Sequence, residues 1–214
     1  MAKLPLNQLR EQYWVSQLNL MLNTFAQGTF MLPEVQKSFN EKRTKIAQTY
    51  PKHSVDGLPK FLFYRQSLSA FSDANLAPFA CQLNSGELSL GMFFPDIEAM
   101  DQIIRREKHD LQKMDFVVRT ALTIKFLHEF DHMALGEIDE AAIRRSIEDT
   151  IALEARVWAE TCRTTISLFV EVYGEKLCFS DNLFYTNWIK CGRNAQSQQW
   201  KDFIAGLYGK LKKV

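Results

Sequence analysis

The stretch from Leu111 to Gly136 constrains the fold more than any other. Met114, Val117, Val118, Ala121, Leu122, Ile124, Leu127, Phe130 and Ala134 cover so much of a helix circumference that a helix here is buried on most sides. Gly136 stands just past its end, where a left-handed residue is favoured. Any polar side chain this helix carries is therefore inside the protein or at a cleft.

It carries several. The segment reads Phe126-Leu127-His128-Glu129-Phe130-Asp131-His132-Met133-Ala134-Leu135-Gly136. At about 3.6 residues per turn, His128 and His132 leave one face one above the other, close enough to share a single ion. Glu129 sits about 100° round from His128, within reach of a water on that ion without ligating it. Two neutral imidazoles suit Zn²⁺, and a neighbouring carboxylate suits the deprotonation of a zinc-bound water. The competing readings are a chance string and two hydrogen-bonded core histidines.

Catalytic zinc takes three protein ligands, so a third is sought downstream. Ser146-Ile147-Glu148-Asp149 approximates a capping box, which predicts a new helix starting near Ser146 and running to Tyr173-Gly174. On one helix running straight back from Gly136, Glu154 would lie ~25 Å along, well past the histidines. On a helix starting at Ser146 it lies only ~12 Å in, a depth comparable to that of His128 from Gly136. Glu154 is thus the favoured third ligand, Glu148 its main competitor, and Glu160 points away.

The rest of the chain supplies packing. Residues 5–26 read as a helix, with Leu6, Leu9, Tyr13, Leu18, Leu22 and Phe25 on one side. Pro33 opens a second helix to about Gln48, with Val35, Phe39 and Ile46 inward. Pro51, His53, Asp56, Gly57 and Pro59 mark a loop over 49–60, where His53 reads as a loop residue rather than a ligand. Phe61–Phe71 is apolar and ambiguous between strand and helix. Ala77–Leu83 and Leu88–Phe94 read as strands joined by Asn84-Ser85-Gly86-Glu87, a hairpin turn. A helix over Ile97–Lys108 follows, leaving His109 exposed, and a further amphipathic helix covers Ser197–Leu211.

The expected organisation is a single domain over 1–214: a helical lead-in over 1–60, a core over 61–174 and a helical part over 175–214. With 26 Lys and Arg against 25 Asp and Glu, net charge is +1, which gives no electrostatic reason to capture nucleic acid or an anionic membrane. No run approaches ~20 apolar residues. Met1-Ala2-Lys3-Leu4-Pro5 lacks a signal-peptide pattern, and Cys81, Cys162, Cys178 and Cys191 lack CxxC spacing, so buried thiols and a cytoplasmic location are expected.

The set His128, Glu129, His132 and Glu154 resembles the zincin metallopeptidases, specifically the gluzincins, in which His-Glu-x-x-His is completed by a glutamate on the next helix. Leu153-Glu154-Ala155-Arg156-Val157-Trp158-Ala159 is similar to the Glu-x-x-Ala-x-x-Phe-Ala helix of small bacterial and phage members. Asp131 and Lys125 depart from the extended pattern, which prefers uncharged residues there. The likeness covers roughly residues 77–172. It implies an α+β, mainly helical fold with a small antiparallel sheet or hairpin, an active-site helix and a glutamate helix, flanked by N- and C-terminal helices. It also implies a zinc-dependent peptidase, Glu129 the general base and a peptide or protein the substrate, with Leu88–Phe94 as the strand that aligns it by strand addition. Tyr64, Tyr173, Tyr185 and His53 are the candidate oxyanion donors. A non-catalytic helical interaction or regulatory protein, and a zinc-binding sensor, are the other function classes these residues allow.

Overall fold

The computed structural model describes residues 16, 32–64, 79–84, 87–93, 111–136, 138, 146–174, 177 and 179–208. The helices expected over 5–26 and 97–108, the segment 139–145, His109 and Cys178 lie outside these residues, apart from Ser16.

Helix α1 spans Pro33–Thr49. Pro33 suits its first turn because its φ is already helical and no N–H is lost. Val35, Phe39 and Ile46 are buried as their spacing requires, and Lys42 is buried on the same stripe. The following loop folds back onto α1. Gly57 adopts φ 72°, and a Cβ there would stand 2.0 Å from the Arg43 carbonyl oxygen, so only glycine fits. The Arg43 guanidinium donates to the Asp56 carbonyl at 3.1 Å, and Leu88 N–H donates to the His53 carbonyl at 3.2 Å.

The sheet consists of β1 (Lys60–Tyr64), β2 (Phe79–Asn84) and β3 (Glu87–Phe93) in the order β1-β3-β2. β2 and β3 pair antiparallel, whereas β1 pairs with β3 in parallel. The expected antiparallel sheet therefore needs correcting to a mixed one. The described part of the ambiguous run, residues 61–64, is a strand beside β3, and a parallel neighbour of this kind enters by a crossover rather than a turn. A second correction follows from the order. β3 is paired on both sides and cannot take up a peptide by strand addition; among the described strands β2 is an edge. Register places Phe61, Leu90 and Cys81 in one row on one face, and that face meets the long helix through Phe61 on Phe126, 6.2 Å between ring centroids.

That helix, α2, spans Leu111–Ala134. Gly136 follows it at φ 69°. Ser146 caps α3 (Ile147–Thr161), its Oγ accepting from Asp149 N–H. A single π-helical turn, Cys162–Ile166, links α3 to α4 (Ser167–Tyr173), and α5 (Phe179–Lys190) and α6 (Gln198–Tyr208) complete the chain. Phe39 of α1 meets Phe130 of α2 at 5.1 Å, and the buried Trp200 of α6 donates its indole N–H to the Ala155 carbonyl of α3 at 2.7 Å. The described part of the protein is thus mainly helical, with α2 at its centre. Among the described residues no helix is long and apolar enough to cross a membrane.

Candidate metal centre

Helix α2 distributes its polar side chains by angle. At about 100° per residue, Glu129 leaves roughly 60° to one side of the histidine pair and Asp131 roughly 60° to the other. Phe126 and Phe130 occupy the opposite side, stacked at 4.7 Å, and hold the helix to sheet and α1. The histidines consequently face α3, Glu129 faces β2, and Asp131 faces the junction of α1 with the π turn.

Helix α3 answers with a stripe at spacings of four and three: Glu154, Trp158 and Thr161. The Glu154 carboxylate lies 3.4 Å from His128 Nε2 and 3.5 Å from His132 Nε2. One ligand atom from each of the three lies within 4.8 Å of the others. Trp158 stacks on the His128 ring at 3.9 Å, backed by Phe184 at 3.9 Å, and His132 meets His128 edge-on at 4.8 Å. Three of the sequence-predicted residues are thus brought together. Glu148 is exposed in the first turn of α3, and Glu160 pairs with Arg163 at 2.6 Å, so neither competes with Glu154.

The protonation of this cluster decides what it can do. Burial, followed by the charges of Lys125 and Lys42, lowers the His128 pKa to about 3, so the ring is neutral. A neutral His128 makes no ion pair with Glu154, although the two stand 3.4 Å apart. The His128 tautomer follows from its other nitrogen. Nδ1 stands 3.2 Å from Thr161 Oγ1, and that hydroxyl has two acceptors in reach, Asp131 Oδ2 at 2.8 Å and the Val157 carbonyl at 3.0 Å, so its proton is directed away from His128. A hydroxyl has one proton to give, and a buried carboxylate is the acceptor that most needs it. Thr161 then accepts from His128 Nδ1–H, which leaves Nε2 with a bare lone pair facing Glu154. Glu154 Oε2 is itself buried without a hydrogen-bond partner. Acceptors face acceptors, an arrangement that a cation among them resolves.

Glu129 lies beside the cluster. Its Oε2 accepts from the Cys81 backbone N–H at 3.0 Å. Burial, with a smaller contribution from Glu154 and opposed by hydrogen bonds from Cys81, raises its pKa to about 8. Cys81, Cys162 and Cys191 are free thiols; Cys81 is partly buried at the sheet edge, and burial followed by Glu129 pushes its pKa up. Asp131, the departure from the extended pattern, is 1% exposed and turned away from the ligand atoms. Among the proposed oxyanion donors, Tyr173 stacks on Phe169 beyond the π turn, Tyr185 packs against the core, His53 belongs to the loop before β1, and the Tyr64 side chain is outside what is described.

Sequence reasoning missed Trp158, Thr161, Lys42 and Cys81. The first two carried a signal, since they share a helical face with Glu154. Lys42 carried one as well, because it interrupts an otherwise apolar stripe. No model of a known protein family matches the chain, and comparisons with curated proteins and with solved structures return no significant match.

Proposed function

We propose that this protein is a zinc-dependent hydrolase of peptide bonds, with the metal held by His128, His132 and Glu154 and with Glu129 as general base. What carries the reading is the convergence of ligand atoms from His128, His132 and Glu154 within 4.8 Å of one another, with Glu154 Oε2 buried and without a hydrogen-bond partner. Two imidazole nitrogens and a carboxylate oxygen are a donor set that catalytic zinc takes, with a fourth position left over. Zinc in such a set polarises a carbonyl and brings the pKa of a bound water near neutrality.

The protein's own groups supply the remainder. Glu129 takes the proton as water attacks the peptide carbonyl and passes it to the leaving amine. Its raised pKa, about 8, keeps it within proton-transfer range of neutral pH, and a cation beside it draws that value down. The β2 edge aligns substrate. Cys81 N–H points away from β3, so alternation along the strand turns the backbone groups of Phe79 and Leu83 outward as well. A peptide laid along this edge competes with Glu129 for the Cys81 N–H and so frees the carboxylate as it binds.

That same hydrogen bond favours a second reading, a zinc-binding sensor in which Glu129 only ties α2 to β2. One experiment separates the two. The purified chain is expected to hold about one zinc and to cleave an unfolded protein substrate, and Glu129→Gln is expected to keep the zinc while losing roughly 10²–10⁴-fold in rate. Zinc without any effect of Glu129→Gln selects the sensor. Absence of zinc defeats both.

A further inference from the structure

The cluster is connected to helix α1 through an unbroken line of buried polar contacts. Lys42 Nζ stands 2.6 Å from Asp131 Oδ1, with side chains 5% and 1% exposed. The same ammonium donates to Thr164 Oγ1 of the π turn at 2.8 Å. Thr161 Oγ1 is 2.8 Å from Asp131 Oδ2 and 3.2 Å from His128 Nδ1. No apolar packing requirement places a lysine, an aspartate and a threonine in one interior line, and each is costly there unless partnered. The line ends on the nitrogen of His128 opposite the one facing Glu154.

We propose that Asp131 and Thr161 are positioning residues for the metal centre, fixing His128 as its Nδ1–H tautomer, and that Lys42 of α1 is the counter-charge that makes Asp131 an acceptor. The inference rests on the metal reading of His128, His132 and Glu154. Thr161 relays rather than ligates: its hydroxyl proton goes to Asp131, and its lone pair receives His128 Nδ1–H. The Trp158 face against His128 blocks rotation of the ring about the same axis. The carboxylate that breaks the family pattern therefore acts on the site from behind, and α1, outside the region of resemblance, is part of that site.

Two measurements test this. In metal-free wild-type protein, imidazole ¹⁵N shifts are expected to report His128 as Nδ1–H; an Nε2–H ring overturns the proposal with no variant involved. In the second, zinc affinity of the full chain is measured by chelator competition, with the visible spectrum of the Co²⁺-loaded protein in parallel. Thr161→Val and Asp131→Asn are expected to weaken zinc binding roughly 10–100-fold and to shift the Co²⁺ bands. Thr161→Ser, which restores the hydroxyl, is expected to recover most of both. Wild-type affinity in Thr161→Val and Asp131→Asn, or a Thr161→Ser as weak as Thr161→Val, overturns the inference while the metal reading stands. A wild-type chain that takes up no zinc defeats the metal reading and this inference with it.

Discussion

Glu129 and Asp131 leave one helix on either side of the same two histidines, and their surroundings give them different roles. Glu129 borders the sheet edge and accepts from the Cys81 backbone N–H. Asp131 is enclosed by Lys42 and Thr161; burial raises its pKa, and those two partners pull it back. Removing one member of a buried ion pair is expected to cost far more than the pair contributes, because the other charge is left uncompensated. Lys42→Met, which keeps the stem and removes the ammonium, is expected to destabilise the metal-free protein by about 3–5 kcal/mol in urea unfolding. Lys42→Met with Asp131→Asn is expected to recover a substantial part of that loss. A single variant within about 0.5 kcal/mol of wild type, the range of ordinary surface changes, would show that the pair is not electrostatically coupled.

At the scale of elements, α3 depends on a start signal and on its buried stripe separately. The Ser146 cap sets where the helix begins, whereas Glu154 sits two turns further in, held by Trp158 stacking and by Trp200 on Ala155. Ser146→Ala is therefore expected to lower stability by about 1 kcal/mol, measured by chemical unfolding, with zinc affinity unchanged and Ser146→Asp close to wild type. A large loss of affinity would mean that the cap, not the packing, sets the position of Glu154. The cap, the α2 periodicity and the glycine after it were legible in sequence because each is a local rule. The hairpin was legible for the same reason. The parallel partner β1 was not, since an apolar run around Phe61 says nothing about which strand it joins. Helix α5 had no clean stripe to read: Phe184 and Trp188 are buried while Leu183 and Ile189 are exposed. Asp131 looked anomalous beside the motif, because the residues that satisfy it come from α1 and from the end of α3, and no local pattern links those.

For the molecule as a whole, the cluster is where separate layers meet. α2 gives the histidines, α3 gives Glu154, β2 holds Glu129, and α1 reaches the back of the site through Lys42. Within the cluster Glu154 Oε2 is buried close to the histidines without a hydrogen-bond partner, so packing works against local electrostatics at that point. A cation bound there changes the sign of that interaction and acts only on the folded chain, because the ligands converge only in the fold. Stabilisation then follows mass action, about 2.7 kcal/mol at a free zinc concentration of 100 times Kd. For a chain of this size each kcal/mol is worth about 2–4 °C, so the transition is expected to rise by roughly 5–10 °C. Calorimetry with buffered zinc against excess chelator measures it. Glu154→Gln, which removes one ligand charge without changing side-chain volume, is expected to abolish most of the rise while lifting the metal-free transition, because an amide can donate to a bare imidazole nitrogen where the carboxylate cannot. An equal zinc-dependent rise in Glu154→Gln would place the metal elsewhere on the protein, and no rise in the wild type would mean that the three acceptors do not form a site.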